Sequence, residues 1–571
     1  MRYFGCYHGP TVSRSDKSEC QLRQVDSNLC DFLDGRVSFL VCLMFYISFL
    51  SGCTSTNTSA LDQSLFSTSQ QNGILAREGF VRCRNYLNGW LEYADSASGL
   101  IPRNIEASAD FWNAKDAAAD NYPFMVLSAF FVDESLFSGR MVRMLEAETR
   151  LTSRVRNMPD SYSFSKKGFV DEEIKMDEII FGTSEYIKDG LLPLSEWLGK
   201  SPWSERMLGM LYDLSDEIDI AEGVKANGFG NATREEINGE LLQVLSRMYW
   251  MTGDDQLLDW AVQIGDFYLL GNHHPTRDLP YLRLRDHGCE LISGLCELYA
   301  STHFARPDKA EVYRRPLYEM LDRILAAGRN EDGLFYDGIN PVTGEIVNAR
   351  IADTWGYTLN GFYTVYQIDS IQSYKDAVLK VFSNLEKYKN YDWENGSADG
   401  YADAIEGALN LYNRLPDPGV AAWIDGEIKV MWAMQKESGV IEGWHGDGNF
   451  ARTTLMYNLW KSKGLYVKPW RDDLVLGAVE KGDTLILSIT SDLPWTGKLF
   501  FDNKRFTENM GLPMDWPRIN QFPEWFTVDL RGEYTMTDVR ENERKNLSGT
   551  DLVKGVELTT DGQKKMIVTS R

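Results

Sequence analysis

Four stretches of the sequence place carboxylates and aromatic residues at the start of an apolar helical run. They read FWNAKDAAADNYPFMVLSAF, LRLRDHGCELISGLCELY, ARIADTWGYTLNGFYTVY and SADGYADAIEGALNLY. Asp116 and Asp120 are four residues apart and share a helix face, as do Asp286 and Glu290. Hydrolysis of a glycosidic bond needs two such groups, because one protonates the leaving oxygen while the other activates water or attacks the sugar. The candidate catalytic residues are Asp120, Asp286, Glu290, Asp353 and Asp403.

The same carboxylates have a plainer explanation, since Asp is a favoured N-cap residue. Asp399, Asp403 and Glu406, however, align on one helix face at three- and four-residue steps. Helix N-termini also offer unpaired N–H groups and a partial positive charge, which suit a polar ligand such as a sugar. Four such clusters in one helical region favour a shared site, provided that they meet around one cavity.

Arginine, histidine and aromatic residues beside these clusters are the candidate substrate-binding residues. Arginine makes forked hydrogen bonds to carboxylates, so arginines near a site in an acidic protein indicate an anionic sugar such as a uronic acid. Ion pairing with neighbouring Asp residues is an equally good explanation. The Gly-rich stretch GWHGDGNFART either covers the site or is a structural loop. The candidate substrate-binding residues are Trp112, Arg283, His287, Arg350, Trp355, Tyr357, His445 and Arg452.

The elements that must position these residues are helices. Residues 72–465 have apolar residues at helical spacing, and a Gly-containing turn phrase recurs at residues 98–102, 189–193, 332–335 and 438–441. Weak repetition of this kind is typical of a closed ring or a solenoid of helical hairpins. From about Trp470 the pattern changes to β-formers between Gly, Asp and Asn turns. We predict a mainly α chain, with a helical catalytic domain at 72–465 and a small antiparallel β-sandwich at 470–571 that packs against it; separate sugar binding by the sandwich is the alternative.

The N-terminal region resembles a bacterial lipoprotein signal. Arg36 precedes the apolar run VSFLVCLMFYISFL and the sequence Leu50-Ser51-Gly52-Cys53. The run is short for a membrane-spanning helix, although a buried apolar helix is the alternative. We interpret residues 1–52 as the signal region with an overcalled start, Cys53 as the lipidation site and 53–71 as a polar tether. The chain is expected to be exported to the outer membrane or cell surface, with the periplasmic face as an alternative.

The net charge and the motif content of the sequence argue against several classes of binding partner. The formal net charge of -24 argues against nucleic acid and against an anionic membrane surface, so membrane contact is expected only through the lipid anchor. Neither a CxxC pair nor an HExxH motif occurs, which argues against zinc, and no metal or cofactor is predicted. The expected partner is an acidic oligosaccharide or polysaccharide. The oligomeric state stays open, with a homodimer as one alternative.

The helical region resembles the (α/α)6-barrel carbohydrate enzymes. The stretches that carry the resemblance are GWLEYADSASGLIPRN, DAAADNYPFMVLSAF, DHGCELISGLCELY, ADTWGYTLNGFYTVY and SADGYADAIEGALNLY, within about residues 75–465. Among these enzymes the chain looks most like glycoside hydrolase family 154, which implies a β-glucuronidase acting on plant arabinogalactan side chains. Unsaturated-glucuronyl hydrolases and several polysaccharide lyases use related barrels, so the resemblance implies an acidic polysaccharide more firmly than it implies a reaction.

Three hypotheses follow. In the first, the chain is an exo-acting glucuronidase in which Asp286, Glu290 or Asp353 is the acid and Asp120 or Asp403 is its partner. In that case one of the arginines at 283, 350 and 452 holds the uronate. In the second, it is a polysaccharide lyase, with Tyr357 or His287 as the base and Arg350 as the cation. In the third, it is a glycan-binding lipoprotein without catalysis.

Overall fold

The computed structural model describes residues 60–218 and 234–570 of the 571-residue chain. The predicted signal region and the lipidation site Cys53 lie outside the described residues and stay predictions. No helix in the described ranges is both long enough and apolar enough to cross a membrane.

The described chain is helical as far as residue 462, apart from short strands and turns between the helices. In chain order its α-helices are α1 (Ala60–Glu92), α2 (Tyr122–Val132), α3 (Val142–Thr152), α4 (Met176–Glu185), α5 (Leu192–Leu198), α6 (Pro202–Glu217), α7 (Arg234–Thr252), α8 (Asp255–Leu269), α9 (Glu290–Ala305), α10 (Pro307–Ala327), α11 (Trp355–Asp369), α12 (Gln372–Phe382), α13 (Ala398–Arg414), α14 (Pro418–Trp432) and α15 (Asn449–Ser462). Two short helices, α16 (Arg505–Glu508) and α17 (Gly549–Lys554), follow in the C-terminal region. π-Helical turns at Ala114–Asn121, Leu136–Met141 and Tyr186–Leu191 lead into α2, α3 and α5.

Alternate helical segments form an inner layer whose side chains are nearly all buried. Every residue of α15 is buried, and burial in α7 runs without a break from Glu236 to Met248. The outer helices have the one-sided apolar pattern of amphipathic surface helices, as α8 and α12 show. The inner layer consists of residues 114–132, residues 176–198, α7, α9, α11, α13 and α15.

These inner segments pack side by side in chain order, and α15 packs against α2, which closes them into a ring. The outer helices α1, α3, α6, α8, α10, α12 and α14 surround it. The predicted fold class, a mainly helical toroid of helical hairpins with a β region after it, is confirmed. The segments named here give the described part of the ring a seventh hairpin, beyond the six that the resemblance implies.

Glycines allow neighbouring inner helices to approach closely. A Cβ on Gly294 of α9 would lie 2.6 Å from the carbonyl oxygen of Gly239 in α7. A Cβ on Gly356 of α11 would lie 2.4 Å from the Cα of Gly407 in α13. Real Cβ atoms do not approach other atoms this closely, so any larger residue would push these helices apart and widen the ring at its narrow points.

The first helix corrects the predicted tether. Helix α1 begins at Ala60, so residues 60–71 are helical, whereas the sequence predicted a polar tether over 53–71. Phe66 is buried, and the Ser69 hydroxyl donates to the Ser488 hydroxyl of the β region at 3.0 Å. The polar composition of this stretch hid a helix whose buried positions face the β region rather than a helical neighbour.

The C-terminal region is built from two antiparallel sheets. One has the strand order β10-β11-β18-β15-β16 and the other the order β17-β12-β9. Leu487 and Val568 of the first sheet share a buried core with Leu499 of the second, as in a β-sandwich. The strands are β9 (Tyr466–Lys468), β10 (Val475–Lys481), β11 (Thr484–Thr490), β12 (Trp495–Phe500), β13 (Asp502–Asn503), β14 (Thr527–Val528), β15 (Glu533–Asp538), β16 (Glu543–Ser548), β17 (Val556–Thr560) and β18 (Gln563–Ser570). Between the helices lie β1 (Phe111–Trp112), β2 (Ser153–Val155), β3 (Met158–Pro159), β4 (Tyr162–Ser163), β5 (Gly168–Phe169), β6 (Leu282–Arg283), β7 (Tyr336–Asn340) and β8 (Glu345–Ile351).

Between β13 and β14 the chain leaves the sandwich and enters the helical ring. Met510, Trp516 and Phe522 are buried in the core of the helical region, not in that of the sandwich. The indole N–H of Trp516 donates to Glu297 of α9 at 3.2 Å. We call residues 510–522 the plug segment, because it fills space between the inner helices.

Candidate active site

A cavity of about 1170 Å³ opens where the inner helical segments begin. Each of the seven segments contributes at least one residue near its N-terminus to the wall. The ring of helix N-termini that the sequence predicted is therefore present. Of the predicted site residues, those that line this cavity are Asp120, Arg283, Glu290, Tyr357, Asp403, His445 and Arg452.

Four predicted site residues do not line the cavity. Trp112 and Trp355 are buried in the helical core, so they stabilise the fold rather than bind a ligand in the cavity. Asp353 is buried, and its carboxylate accepts from the N–H of the next residue, Thr354, at 3.0 Å. Arg350 donates to the side chain of Asn395 at 2.8 Å.

Two further predictions, Asp286 and His287, lie in a 3-10 turn directly before α9. Their side chains lie outside the described part of the structure, so both stay predictions. Glu290, the third member of this cluster, is buried and contacts the Lys188 ammonium through one carboxylate oxygen and the Gln243 amide through the other. Glu290 is therefore held as part of an ion pair.

The N-caps of two inner segments are not aspartates, so capping does not explain the carboxylates near the start of those segments. Asn113 caps the turn that precedes α2, because its side chain accepts from the N–H of Ala117 at 3.1 Å. Ser397 caps α13 and accepts from the N–H of Gly400 at 2.9 Å. Asp120, near the end of the same π-helical turn, and Asp399, in the first turn of α13, are thus available for other contacts.

One side of the cavity is formed by Asp116, Asp120 and His445, which we call the His445 side. The His445 Nε2 lies 3.5 Å from Asp120 and 3.8 Å from Asp116. Burial lowers the pKa of His445, but the two carboxylates outweigh it and raise that pKa above its ordinary value. Burial conversely raises the pKa of Asp116, yet His445, Arg103 and the bond from Asn113 bring it below the ordinary value. The positive charges of His445 and Arg103 therefore favour the ionised form of Asp116.

The other side is formed by Asp399, Asp403 and Asp447, which we call the Asp399 side. Burial and the neighbouring charges of Asp403 and Asp447 raise the pKa of Asp399 well above its ordinary value. Burial also raises the pKa of Asp447 to about 6, although the charge of His445 opposes it. Asp399 accepts a hydrogen bond from the Asn449 amide at 2.7 Å. Two carboxyl groups on this side are thus held towards the protonated form.

Arg452 links α15 to the acidic residues of α13. Its guanidinium contacts Asp403 at 2.7 Å and Glu406 at 2.8 Å. The Tyr357 hydroxyl donates to both carboxylates at 2.8 Å and lies 3.1 Å from Arg452. Burial raises the pKa of Glu406 to about 7, with Arg452 opposing it. Arg452 was predicted to bind substrate, but protein acceptors surround it, so its geometry suits holding Asp403 in place.

The plug segment supplies two cavity residues that the sequence reasoning missed, Ile519 and Asn520. The Asn520 side chain accepts from Arg452 at 2.8 Å and donates to Asp189 at 2.7 Å. No signal in the sequence indicated that a segment within the β region reaches a site among the helices.

Trp444 was also missed, although it precedes the predicted His445. It lines the cavity, and 78% of its surface is exposed, the highest value among the exposed large hydrophobic residues of the described chain. The guanidinium carbon of Arg103 lies 5.0 Å from the centre of its ring. The Asn104 amide donates to the Trp444 carbonyl at 3.1 Å and fixes the loop. A Trp between two glycines in the sequence EGWHGDG was the available signal.

Two groups of side chains could supply ligands to a metal ion. In each group the ligand atoms lie within 4.8 Å of one another. Arg103 pairs with Asp116 in the first group, and Lys188 pairs with Asp189 in the second, so the protein supplies cations of its own beside both. The groups are Asp116, Asp120 and His445, and Glu185, Asp189 and Glu240.

Comparison with known proteins gives distant likenesses. No protein-family model matches the chain, and no curated protein matches it. A solved α-1,6-mannanase of Salegentibacter is 12% identical, with a TM-score of 0.36 over 66% of this chain and 98% of that one. A family 76 glycoside hydrolase (mannosidase) from Bacteroides thetaiotaomicron is 11% identical, with a TM-score of 0.39 over 67% and 99%. An unsaturated glucuronyl hydrolase from Bacillus is 11% identical, with a TM-score of 0.35 over 51% and 86%.

These likenesses are too weak to carry an argument about substrate or mechanism. The fold class stands on the packing of the helices themselves, and the likeness to glycoside hydrolase family 154 stays a prediction.

Proposed function

We propose that the chain is a glycoside hydrolase that works by carboxyl acid and base chemistry in this cavity. The observation that carries the proposal is that one concave site holds carboxyl groups in opposite electrostatic environments. Hydrolysis of a glycosidic bond requires one protonated and one ionised carboxyl group around the scissile bond. The Asp399 side meets the first requirement and the His445 side meets the second.

Asp399 is the proposed general acid. It lies in the first turn of α13 at the cavity wall, and burial together with Asp403 and Asp447 keeps its carboxyl protonated to higher pH than usual. The earlier candidates for the acid suit the task less well. Both oxygens of Glu290 are engaged by Lys188 and Gln243, and Asp353 does not line the cavity. The side chain of Asp286 lies outside the described residues.

Asp120 is the proposed ionised partner. It lines the cavity from the inner segment 114–132, and His445 lies 3.5 Å away as a positive neighbour. A nearby positive charge favours the ionised form of a carboxylate. Asp403 is less suited, because Arg452 and Tyr357 both bond to its Oδ1.

A sugar is the substrate class that the rest of the wall supports. The exposed ring of Trp444 at the cavity offers an apolar face with Arg103 beside it. Aromatic rings present apolar surface to the C–H faces of sugars, while carboxylates and amides accept and donate to their hydroxyl groups. A wall lined by so many acceptors suits a ligand with many O–H donors.

Removal of glucuronic acid is the narrower proposal, and it needs a cation for the uronate. Carboxylates outnumber lysines and arginines along the wall, so a uronate would require a specific cation. Lys115 meets this need best. It is exposed, lines the cavity, lies 5.6 Å from the ring centre of Phe181, and makes no ion pair with any carboxylate of the described chain.

Two observations disfavour the lyase alternative. A tyrosine base must lose its proton readily, but burial and the charges of Asp403 and Glu406 raise the pKa of Tyr357 well above its ordinary value. Arg350, the cation expected beside it, does not line the cavity. Non-catalytic glycan binding stays the third alternative, and turnover separates it from the other two.

The test is hydrolysis of a panel by the purified protein: aryl β-glucuronide, aryl β-glucoside, aryl α-mannoside and arabinogalactan oligosaccharides. Release from the glucuronide far above the neutral glycosides, reduced in Lys115→Gln, supports glucuronidase action. Release from a neutral glycoside alone supports a glycoside hydrolase but contradicts specificity for glucuronic acid. An increase in ultraviolet absorbance from an unsaturated product supports elimination, and no product from any substrate overturns the hydrolase.

A further inference from the structure

Asn520 of the plug segment has a backbone conformation that is uncommon for residues other than glycine. Its φ is 61°, in the left-handed region, where Asn is among the few non-glycine residues that are tolerated. The residue is buried and lines the cavity, although it belongs to the C-terminal half of the chain.

The left-handed conformation allows one residue to make three contacts with different inner segments. The backbone N–H of Asn520 donates to Glu406 of α13 at 2.6 Å. Its side-chain oxygen accepts from Arg452 of α15 at 2.8 Å, and its side-chain nitrogen donates to Asp189 at 2.7 Å. Asp189 in turn accepts from Lys188, the residue that pairs with Glu290 of α9.

We propose that Asn520 is a positioning residue of the active site and that the plug segment makes the C-terminal region an obligatory part of the catalytic unit. The inference rests on the proposed hydrolase function, because it assigns Asn520 to the same site. Asn520 need not contact the reacting atoms. It acts through Arg452, whose position fixes Asp403 and the Tyr357 hydroxyl at the cavity wall.

The ring geometry explains why such a segment is needed. The inner segments enclose space within the ring beside the cavity. Residues of the plug segment fill it: Arg518 is fully buried and pairs with Glu196 at 3.3 Å, and the Ile519 carbonyl accepts from Arg247 at 3.2 Å. Buried charges need partners of this kind, so the segment neutralises the inner wall while Asn520 reaches the cavity.

A purely structural segment would show a different response to mutation. If the plug segment only packs the ring, loss of the Asn520 side chain lowers stability and leaves turnover by the folded protein unchanged. If Asn520 positions Arg452 and Asp403, the loss lowers kcat while the protein stays folded, because misplaced groups lose transition-state contacts more than they lose substrate affinity.

The experiment compares Asn520→Gly with Asn542→Gly in the full protein. Both positions have left-handed backbones, with φ of 61° and 52°, so glycine is accommodated equally at each. Asn542 is an exposed residue in the turn between β15 and β16, away from the cavity. With the aryl glycoside that the wild type cleaves, Asn520→Gly is expected to lower kcat about 10- to 100-fold with KM changed less than threefold. Asn542→Gly is expected to match the wild type.

A crystal structure of Asn520→Gly provides a readout that does not depend on activity. Movement of the Arg452 guanidinium away from Asp403 is expected; an unchanged Arg452, Asp403 and Tyr357 overturns the inference, as does an unchanged kcat. If the wild type cleaves none of the substrates, the proposed function is wrong. The position of Arg452 in the crystal structure of Asn520→Gly then decides whether Asn520 has a positioning role. Should Asn520→Gly not fold, Asn520→Asp keeps the size of the side chain but sets a carboxylate against Arg452, where it competes with Asp403 for the guanidinium. A similar loss of kcat is expected, with Arg452 drawn away from Asp403, and an unchanged kcat overturns the inference.

Discussion

The two sides of the cavity use the same residue type in opposite ways. On the His445 side, Asp116 has the positive neighbours His445 and Arg103, and its pKa falls below the ordinary value. On the Asp399 side, the nearest charges are other carboxylates, and the pKa of Asp399 rises well above the ordinary value. Aspartates that look alike in the sequence therefore differ in how readily they ionise.

The difference shows that the surrounding charges, and not the identity of the residue, assign the acid and the base. His445, a few ångströms from two aspartates, and Arg103, which pairs with Asp116, set the two environments apart. Variants that remove either the acid or this charge test the comparison most directly.

The largest expected effect is that of Asp399→Asn. The amide cannot give a proton to the leaving oxygen, so kcat for a glycoside with a poor leaving group is expected to fall about 100- to 10,000-fold. A good leaving group, such as a dinitrophenolate, needs little protonation and should recover most of the rate. Steady-state kinetics with the two leaving groups measure this contrast.

Asp376→Asn is the matched control for this prediction. Asp376 lies exposed on the outer helix α12 and accepts only from Gln372 at 2.8 Å. Its substitution should leave both rates unchanged. Equal rate losses for good and poor leaving groups in Asp399→Asn would show that Asp399 is not the general acid.

The next effect is that of His445→Gln. Loss of the imidazolium removes the positive charge that favours ionised Asp120 and lowers the pKa of Asp116. The acidic limb of the profile of kcat/KM against pH is therefore expected to move to higher pH, with a loss of about tenfold at pH 6. The measurement is that profile between pH 4 and 9.

His303→Gln is the control, because His303 lies in the last turn of α9 and does not line the cavity. An acidic limb that stays in place in His445→Gln would show that the charge of His445 does not keep Asp120 ionised, which contradicts the proposed role of the His445 side.

A smaller effect is expected from Trp444→Ala. Its exposed ring contributes binding surface but no chemistry, so the loss should be about tenfold in kcat/KM for an oligosaccharide and less for an aryl monoglycoside. Trp444→Phe keeps an aromatic face beside Arg103 and should restore much of the affinity. Isothermal titration with an oligosaccharide product measures the affinity of each variant. Equal affinity of the alanine and phenylalanine variants would exclude ring stacking.

The ring and the β region were predictable because burial imposes periodicity on the sequence. Apolar residues at helical spacing revealed the helices, and alternation revealed the strands, since each pattern follows from which face of an element is buried. The first helix shows the limit of this reasoning. Residues 60–71 read as a polar tether because Ser and Gln occupy half of the positions, although Phe66 and Ser69 are buried against the β region.

Most of the site residues that were predictable lie near helix N-termini, whereas His445 was predicted from its Gly-rich loop. Asp120, Glu290, Tyr357 and Asp403 come from four separate stretches and line one cavity, as the helical spacing required. Within the third stretch, Tyr357, the third residue of α11, lines the cavity, whereas Asp353, two residues before the helix, does not.

Asn520 could not be found in the same way. Its part in the site depends on a segment between two short strands entering a ring formed hundreds of residues earlier, which is a tertiary event without local periodicity. The raised pKa values of Asp399 and Asp447 could not be predicted from the sequence either, because a pKa depends on burial and on neighbours that only the fold brings together.

The smallest expected effect concerns stability and is that of Asp447→Asn. Burial raises the pKa of Asp447 to about 6 in the folded protein, above the ordinary value of 3.8. A carboxyl group with a raised folded-state pKa binds its proton more tightly when folded, so its stabilising contribution is complete below pH 4 and is lost as the pH rises through 6. The wild type should therefore lose about 1–3 kcal/mol of unfolding free energy from this group between pH 4 and pH 7, and Asp447→Asn should not. Urea unfolding of both proteins across this range measures the difference. Parallel curves for the two proteins would show that Asp447 is not held towards the protonated form, and the contrast between the two sides of the cavity would then rest on Asp399 alone.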